Sequence, residues 1–229
     1  MSTLKHFLKF IILIFAVFGI FGFCEVIVRD FPLVFNHLNS LLAVALGILA
    51  FTILWIFYLS KRGFFWSTLE HELTHALFAT LFFKKIHSIS ASRRKGGVIS
   101  IEGGNTVIAL SPYIFPLAPS VILLFLFILP ARFELYMFFL LGFAYQFHLI
   151  NLAKEFHLGQ SDLQKSGTFF SVIIILFFNI VYLGLMISAL EGKFSSFYQF
   201  IWDGITMSVN YMLLFFSFFV NQLNLVIAG

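Results

Sequence analysis

The sequence predicts an all-α polytopic membrane protein of about six transmembrane helices, with one further metal-binding helix and a short β-hairpin. Of its 229 residues, 61% are hydrophobic and only 10% are charged, whereas a soluble domain carries roughly a quarter charged residues. Phe alone fills 35 positions, so the chain cannot cover itself with polar surface and takes lipid as its solvent. Apolar runs of about 20 residues, the length that crosses a bilayer core, recur at 7–28, 40–60, 106–129, 133–152, 167–190 and 197–228. No hydrophilic stretch between them is long enough to fold by itself, which predicts one integral-membrane domain over 1–229.

The first run follows Lys5 and Lys9 and resembles a secretory signal at its start. No Ala-x-Ala-type cleavage site follows, so it reads as a retained anchor. The second run ends at Lys61 and Arg62, with Trp55, Tyr58 and Trp66 as an aromatic belt. The next apolar stretch, 64–83, is exceptional because it contains Glu70, His71, Glu72 and His75. In 84–104, Ser88, Ser90 and Ser92 alternate with Ile89 and Ala91, and Val98 to Glu102 has a similar β-like character. Arg93-Arg94-Lys95-Gly96-Gly97 supplies the turn, which predicts a hairpin. The run after it carries Pro112, Pro116 and Pro119. Each lacks a backbone donor, so that helix is expected to be kinked or broken and to lean on protein neighbours. Tyr182, Trp202 and Asp203 in the last two runs read as interfacial or packing residues.

The net charge of +4 sits in short clusters between apolar runs. These act as topological anchors and are no nucleic-acid signature. Cys24 is the single cysteine, which excludes an internal disulfide and makes thiolate zinc chemistry implausible. With a cytoplasmic N-terminus and a 64–83 element that returns to its side of origin, 11 Lys and Arg face the cytoplasm and 3 (Arg29, Arg132, Lys193) face outward. A fully crossing element would erase that asymmetry, so the positive-inside rule favours a re-entrant or shallow one.

His71-Glu72-Leu73-Thr74-His75 carries the chemistry. Residues four apart on a helix share a face, so two imidazoles converge on one point, the spacing a tetrahedral zinc ion uses. Glu72, beside the first histidine, is placed to accept a proton from a zinc-activated water that attacks a polarised carbonyl. Ionisable groups at membrane depth are costly and mark function. Measured from Lys61 and Arg62, the pair lies roughly 13–20 Å along the axis, at 1.5 Å per residue. Water must then reach it through a polar cavity in the protein. A catalytic zinc takes three protein ligands, and the candidates for the third are Asp162, Glu155, His148, His157, Glu134 and Glu102.

A metal motif of this kind in a membrane helix, a polar hairpin before a proline-bearing span, and an Asp opening a later span together resemble the site-2 protease family of intramembrane zinc metalloproteases. The stretch from Asn105 through Ser111-Pro112-Tyr113 to Pro116, and Gly159-Gln160-Ser161-Asp162-Leu163 through Gly167, are similar to the compact bacterial branch. The resemblance runs from about Trp66 to Gly167. It implies Asp162 as third ligand with His71 and His75, Zn2+ as cofactor, Glu72 as catalytic base, and Asn151 as a residue that orients substrate. It also implies a catalytic core at about 61–190, a transmembrane protein as substrate, and residence in the bacterial inner (plasma) membrane. Charge placement agrees on Asp162, since 154–165 and the start of the zinc helix share one side in the favoured topology. The hairpin at 86–102 offers an edge for strand addition by an unwound substrate.

The sequence departs from the family in three ways. Leu163 follows Asp162 where the better-known branch has Gly, Thr74 replaces the usual Gly of the metal motif, and no soluble peptide-binding domain is inserted. Glu155 reads as solvated beside Lys154, His148 as packed among aromatic residues, and His157 as part of an interfacial loop. Two other function classes remain, a metal-binding membrane transporter and a non-proteolytic membrane scaffold. Glu72 separates them from a peptidase, because only hydrolysis requires a base beside the metal.

Overall fold

The computed structural model describes residues 2–60, 65–92, 96–157, 159–191 and 194–228. Lys61 and Arg62, the Arg93-Arg94-Lys95 turn and Lys193 lie outside the described residues. The elements in chain order are α1 (Ser2–Asp30), α2 (Leu38–Leu54), α3 (Phe65–Leu81), β1 (Ile86–Ser92), β2 (Gly96–Ile101), α4 (Thr106–Ile114), α5 (Leu117–Ile128), α6 (Glu134–Glu155), α7 (Ser161–Ser166), α8 (Thr168–Ala189) and α9 (Phe194–Ala228), with short 3-10 segments at Phe31–His37 and Ala131–Phe133.

Among the described residues, four helical stretches are long and apolar enough to cross a membrane, or five when the bent pair α4–α5 is taken as one span. The sequence predicts six. The difference arises at 7–28 and 40–60, which fall within a single helical stretch, His6–Leu59, that runs on through the 3-10 segment. The described part of α3 has 17 residues, about 25 Å at 1.5 Å per residue, and it follows residues outside the described set.

The chain forms two compact units, 1–36 with 176–229, and 37–175. In the first, Phe23 and Val26 of α1 and Phe200 of α9 are buried together, with Phe177, Ile180, Val181 and Leu185 of α8 against them. Phe23 meets Phe177 and Phe200 edge to face, with ring centroids 5.7 and 5.4 Å apart. Arg29 bridges Asp30 and Asp203 at 2.7 and 2.5 Å.

In the second unit α2 packs on α6, with Phe51 buried against the rings of Phe143 and Phe147. Their backbones touch at a reciprocal pair of glycines. A Cβ on Gly47 would overlap the Phe139 carbonyl, and one on Gly142 would overlap that of Val44. Lipid tails are as apolar as Leu, so close backbone contact of this kind, more than hydrophobic burial, holds such helices together.

The proline-bearing run is broken, as its composition predicts. Phe115 precedes Pro116 and is extended (ψ 100°), because the proline ring bars its neighbour from helical geometry. The helix stops at Ile114, restarts at Leu117, and turns by 71°. β1 and β2 pair antiparallel with Ser88 opposite Ser100 and Ser90 opposite Val98, and the register is irregular between Ile86 and Ser88. The hairpin packs against α3. Gly97 lies within β2, opposite Ala91, although the sequence reading placed it in the turn.

Candidate metal centre

α3 presents His71 and His75 one turn apart, with ring centroids 4.9 Å from each other. α7 brings Asp162 to them. Its Oδ2 lies 3.5 Å from His75 Nε2 and 3.9 Å from His71 Nε2, and the three ligand atoms all fall within 4.8 Å of one another. Two bonds of about 2.0–2.1 Å at the tetrahedral angle separate donor atoms by roughly 3.3–3.4 Å, so small shifts fit this triplet to zinc. It is the set of metal-type donors that converges among the described residues.

Each imidazole is held through its other nitrogen. His71 Nδ1 donates to Glu155 Oε2 at 2.6 Å, and Glu155 Oε1 accepts from Ser67 Oγ at 2.7 Å. His75 Nδ1 donates to the Ile108 carbonyl at 2.7 Å. With both Nδ1 atoms engaged behind the rings, both Nε2 atoms face Asp162. Metal-binding histidines are oriented in this way, by a carboxylate or a carbonyl behind the ring.

The Ile108 carbonyl is available for a covalent reason. In an α-helix it would accept from the amide four residues on, but that residue is Pro112, which has no N–H. The vacated acceptor takes His75 Nδ1 and also the Ser111 hydroxyl at 2.8 Å. Asn105 caps the start of α4 by accepting from the Ile108 amide at 2.8 Å, which fixes the turn that presents this carbonyl. Tyr113, fully buried, sets its ring edge-on to His71 at 5.3 Å.

Asp162 reaches the histidines because α7 is tied down behind it. Leu163 is fully buried, and the Ser171 hydroxyl lies 3.1 Å from its carbonyl. Gly167, with φ +92°, takes a backbone conformation that side chains disfavour and lets α7 turn into α8. Burial opposes ionisation of Asp162. Contacts with His71 and His75, and the Lys165 ammonium 3.5 Å away, outweigh it and hold the carboxyl below the usual range. It is therefore a ready anionic ligand.

Glu72 is buried, and β2 passes directly over it. A Cβ on Gly97 would come within 3.0 Å of Glu72 Oε1 and Cγ and of Thr68 Cγ2. A strand bearing any side chain there could not lie so close to the glutamate.

Asn151 is buried on α6, one turn before Glu155. Its Nδ2 donates to Glu70 Oε2 at 3.5 Å, and its Oδ1 has no partner among the described residues. Glu70 Oε1 in turn accepts from the Ala118 amide at 3.0 Å, so α3 caps the restart of the broken helix. Glu155 corrects the sequence reading, since it does not stand in solvent beside Lys154. The Lys154 ammonium lies over the Trp55 ring at 4.6 Å, while Glu155 turns inward to His71. The i, i+4 pair Asn151 and Glu155, matched to the adjacent Glu70 and His71, was a signal open to sequence reasoning. Glu102, Glu134, His148 and His157 lie outside the triplet.

The chain matches no protein-family model, no curated protein and no solved structure.

Proposed function

We propose that this chain is a zinc-dependent intramembrane endopeptidase acting on membrane-embedded proteins, with His71, His75 and Asp162 as ligands and Glu72 as base. One observation carries the reading. Two imidazoles one helical turn apart, each pinned at Nδ1 by an internal acceptor, converge with the Asp162 carboxyl beside a buried glutamate. A bound zinc ion supplies a Lewis acid that polarises a carbonyl and acidifies water. Glu72 accepts a proton from the attacking water as its oxygen bonds to the scissile carbon. When the C–N bond breaks, Glu72 returns that proton to the departing amine. Glu155 and the Ile108 carbonyl keep the two rings oriented throughout. β2, lying over Glu72, offers backbone groups beside the base to an extended substrate segment. Asn151, whose Oδ1 has no partner among the described residues, stands one turn from Glu155 as a group able to hold such a segment.

The finer topology belongs to the same proposal. The N-terminus is cytoplasmic, α3 is re-entrant, and the stretch His6–Leu59 contributes two of six spans in a bacterial inner membrane. The distribution of Lys and Arg supports this arrangement.

The test is purified protein, reconstituted with zinc and a pool of single-span membrane proteins, with new peptide termini read by mass spectrometry. Glu72→Gln should keep its zinc and lose about 10²–10⁴-fold in rate. Equal cleavage by the variant would remove Glu72 as base. Stoichiometric zinc with no new termini from the unaltered chain would favour a transporter or scaffold.

A further inference from the structure

α9 is 35 residues long, about 52 Å at 1.5 Å per residue, and so exceeds a roughly 30 Å bilayer core. Ser196, Asp203, Asn210, Ser217 and Asn224 follow one another at intervals of seven along it. Gln199, Thr206 and Asn221 fall three or four residues from these, on the same face. A polar seam thus runs the length of a helix whose C-terminal half is otherwise mostly Phe, Leu and Val.

From Thr206 onward, the seam is not the face that packs inside its own unit. α9 meets α1 and α8 through Phe200, Ile201, Gly204, Met207 and Ser208. At the N-terminal end the seam is satisfied internally, Asp203 by Arg29 and Ser196 by Glu191. Further on, the hydroxyls of Thr206 and Ser217 donate back to the carbonyls of Trp202 and Leu214. The carboxamides of Asn210, Asn221 and Asn224 differ. All three are exposed, and none has a hydrogen-bond partner among the described residues. Tyr198 stacked on Trp202, next to Asp203, marks a membrane boundary. Asn210 lies about 10 Å beyond it along the axis, where lipid offers an amide nothing to bond.

We propose that this seam is the docking surface for a second copy of the chain, α9 against α9 in parallel. Carboxamides and hydroxyls both donate and accept, so the seam is complementary to itself, and its one acid is already neutralised by Arg29. Copies of a membrane protein share one orientation. A two-fold axis between them therefore runs along the membrane normal, and the same helix meets itself parallel and in register. A seven-residue period is the one a parallel left-handed pair keeps in contact, and polar residues within such a seam set register.

The test uses the full chain in native membranes on a Cys24→Ser background, with single cysteines at Ser217, Asn224, Phe219 or Val226 and mild oxidation. Ser217→Cys and Asn224→Cys should give a disulfide-linked species of twice the chain mass. Phe219→Cys and Val226→Cys, on the opposite face, should not. Cross-linking at all four positions alike, at none, or to adducts of any other mass would overturn the proposal. Adding Asn210→Leu and Asn221→Leu to Ser217→Cys should lower the linked fraction several-fold, and an unchanged fraction would also overturn it. Mass is the readout, so the outcome is independent of proteolysis.

Discussion

The candidate metal centre and the α9 seam both place polar groups within apolar sequence, and they satisfy them in opposite ways. Around α3, the polar groups behind the histidines find partners inside one unit. Glu155 holds His71 and Ser67, the Ile108 carbonyl holds His75 and Ser111, and Glu70 joins Ala118 to Asn151. From Asn210 onward along α9, the carboxamides of Asn210, Asn221 and Asn224 face outward with no partner among the described residues. Polar groups closed upon one another hold fixed geometry, which catalysis requires. Polar groups left open hold only the potential to bind, which assembly requires. A buried polar network is sensitive to single atoms, whereas an exposed ion pair contributes little. Substitutions in the two regions should separate accordingly.

The largest effect is expected at Asp162. Asp162→Asn removes the charge of the proposed third ligand, and zinc affinity measured by competition with a chelator should fall by more than the roughly 10–100-fold typical of an outer partner. Unchanged zinc content would take Asp162 out of the ligand set. Glu155→Gln retains shape and loses charge behind His71. Zinc affinity should fall by about 10–100-fold, with the fold intact by circular dichroism, and an unaltered affinity would make the Glu155 contact incidental. Pro112→Ala restores an amide that competes with His75 for the Ile108 carbonyl. That oxygen has two lone pairs, so the loss should sit near the lower end of that range, about tenfold. A gain in affinity would show that the proline does not serve His75. Gly97→Val should leave zinc binding as it was while reducing peptide hydrolysis, because the side chain must displace either Glu72 or β2. Parallel loss of both would mean the hairpin supports the metal itself. Smallest of all, Asp203→Asn breaks a half-exposed pair with Arg29 and should change stability in detergent by no more than about 1 kcal/mol. A larger drop in unfolding temperature would make that pair a true anchor of α1 on α9.

The helical membrane character, the hairpin between α3 and α4, and the break at the prolines are all legible in the sequence. Each follows from local chemistry: apolar length, alternation, or a missing N–H. The span count was less so. Residues 7–28 and 40–60 read as separate apolar runs, yet local composition does not say whether the backbone between them leaves helical geometry, and here it continues through a 3-10 segment.

His71, Glu72 and His75 were visible because their spacing on one helix is itself the geometry. The convergence of Asp162 on them was expected from the resemblance and from charge placement, and α7, pinned by Leu163 and Ser171, carries it there. The inward turn of Glu155, the use of the Ile108 carbonyl by His75 and the passage of Gly97 over Glu72 belong wholly to tertiary structure. Spacing along a single helix is set by covalent geometry and can be read from letters. Contacts between α3, α4, α6, α7 and β2 depend on how separate elements pack, and packing alone decided which polar atom met which.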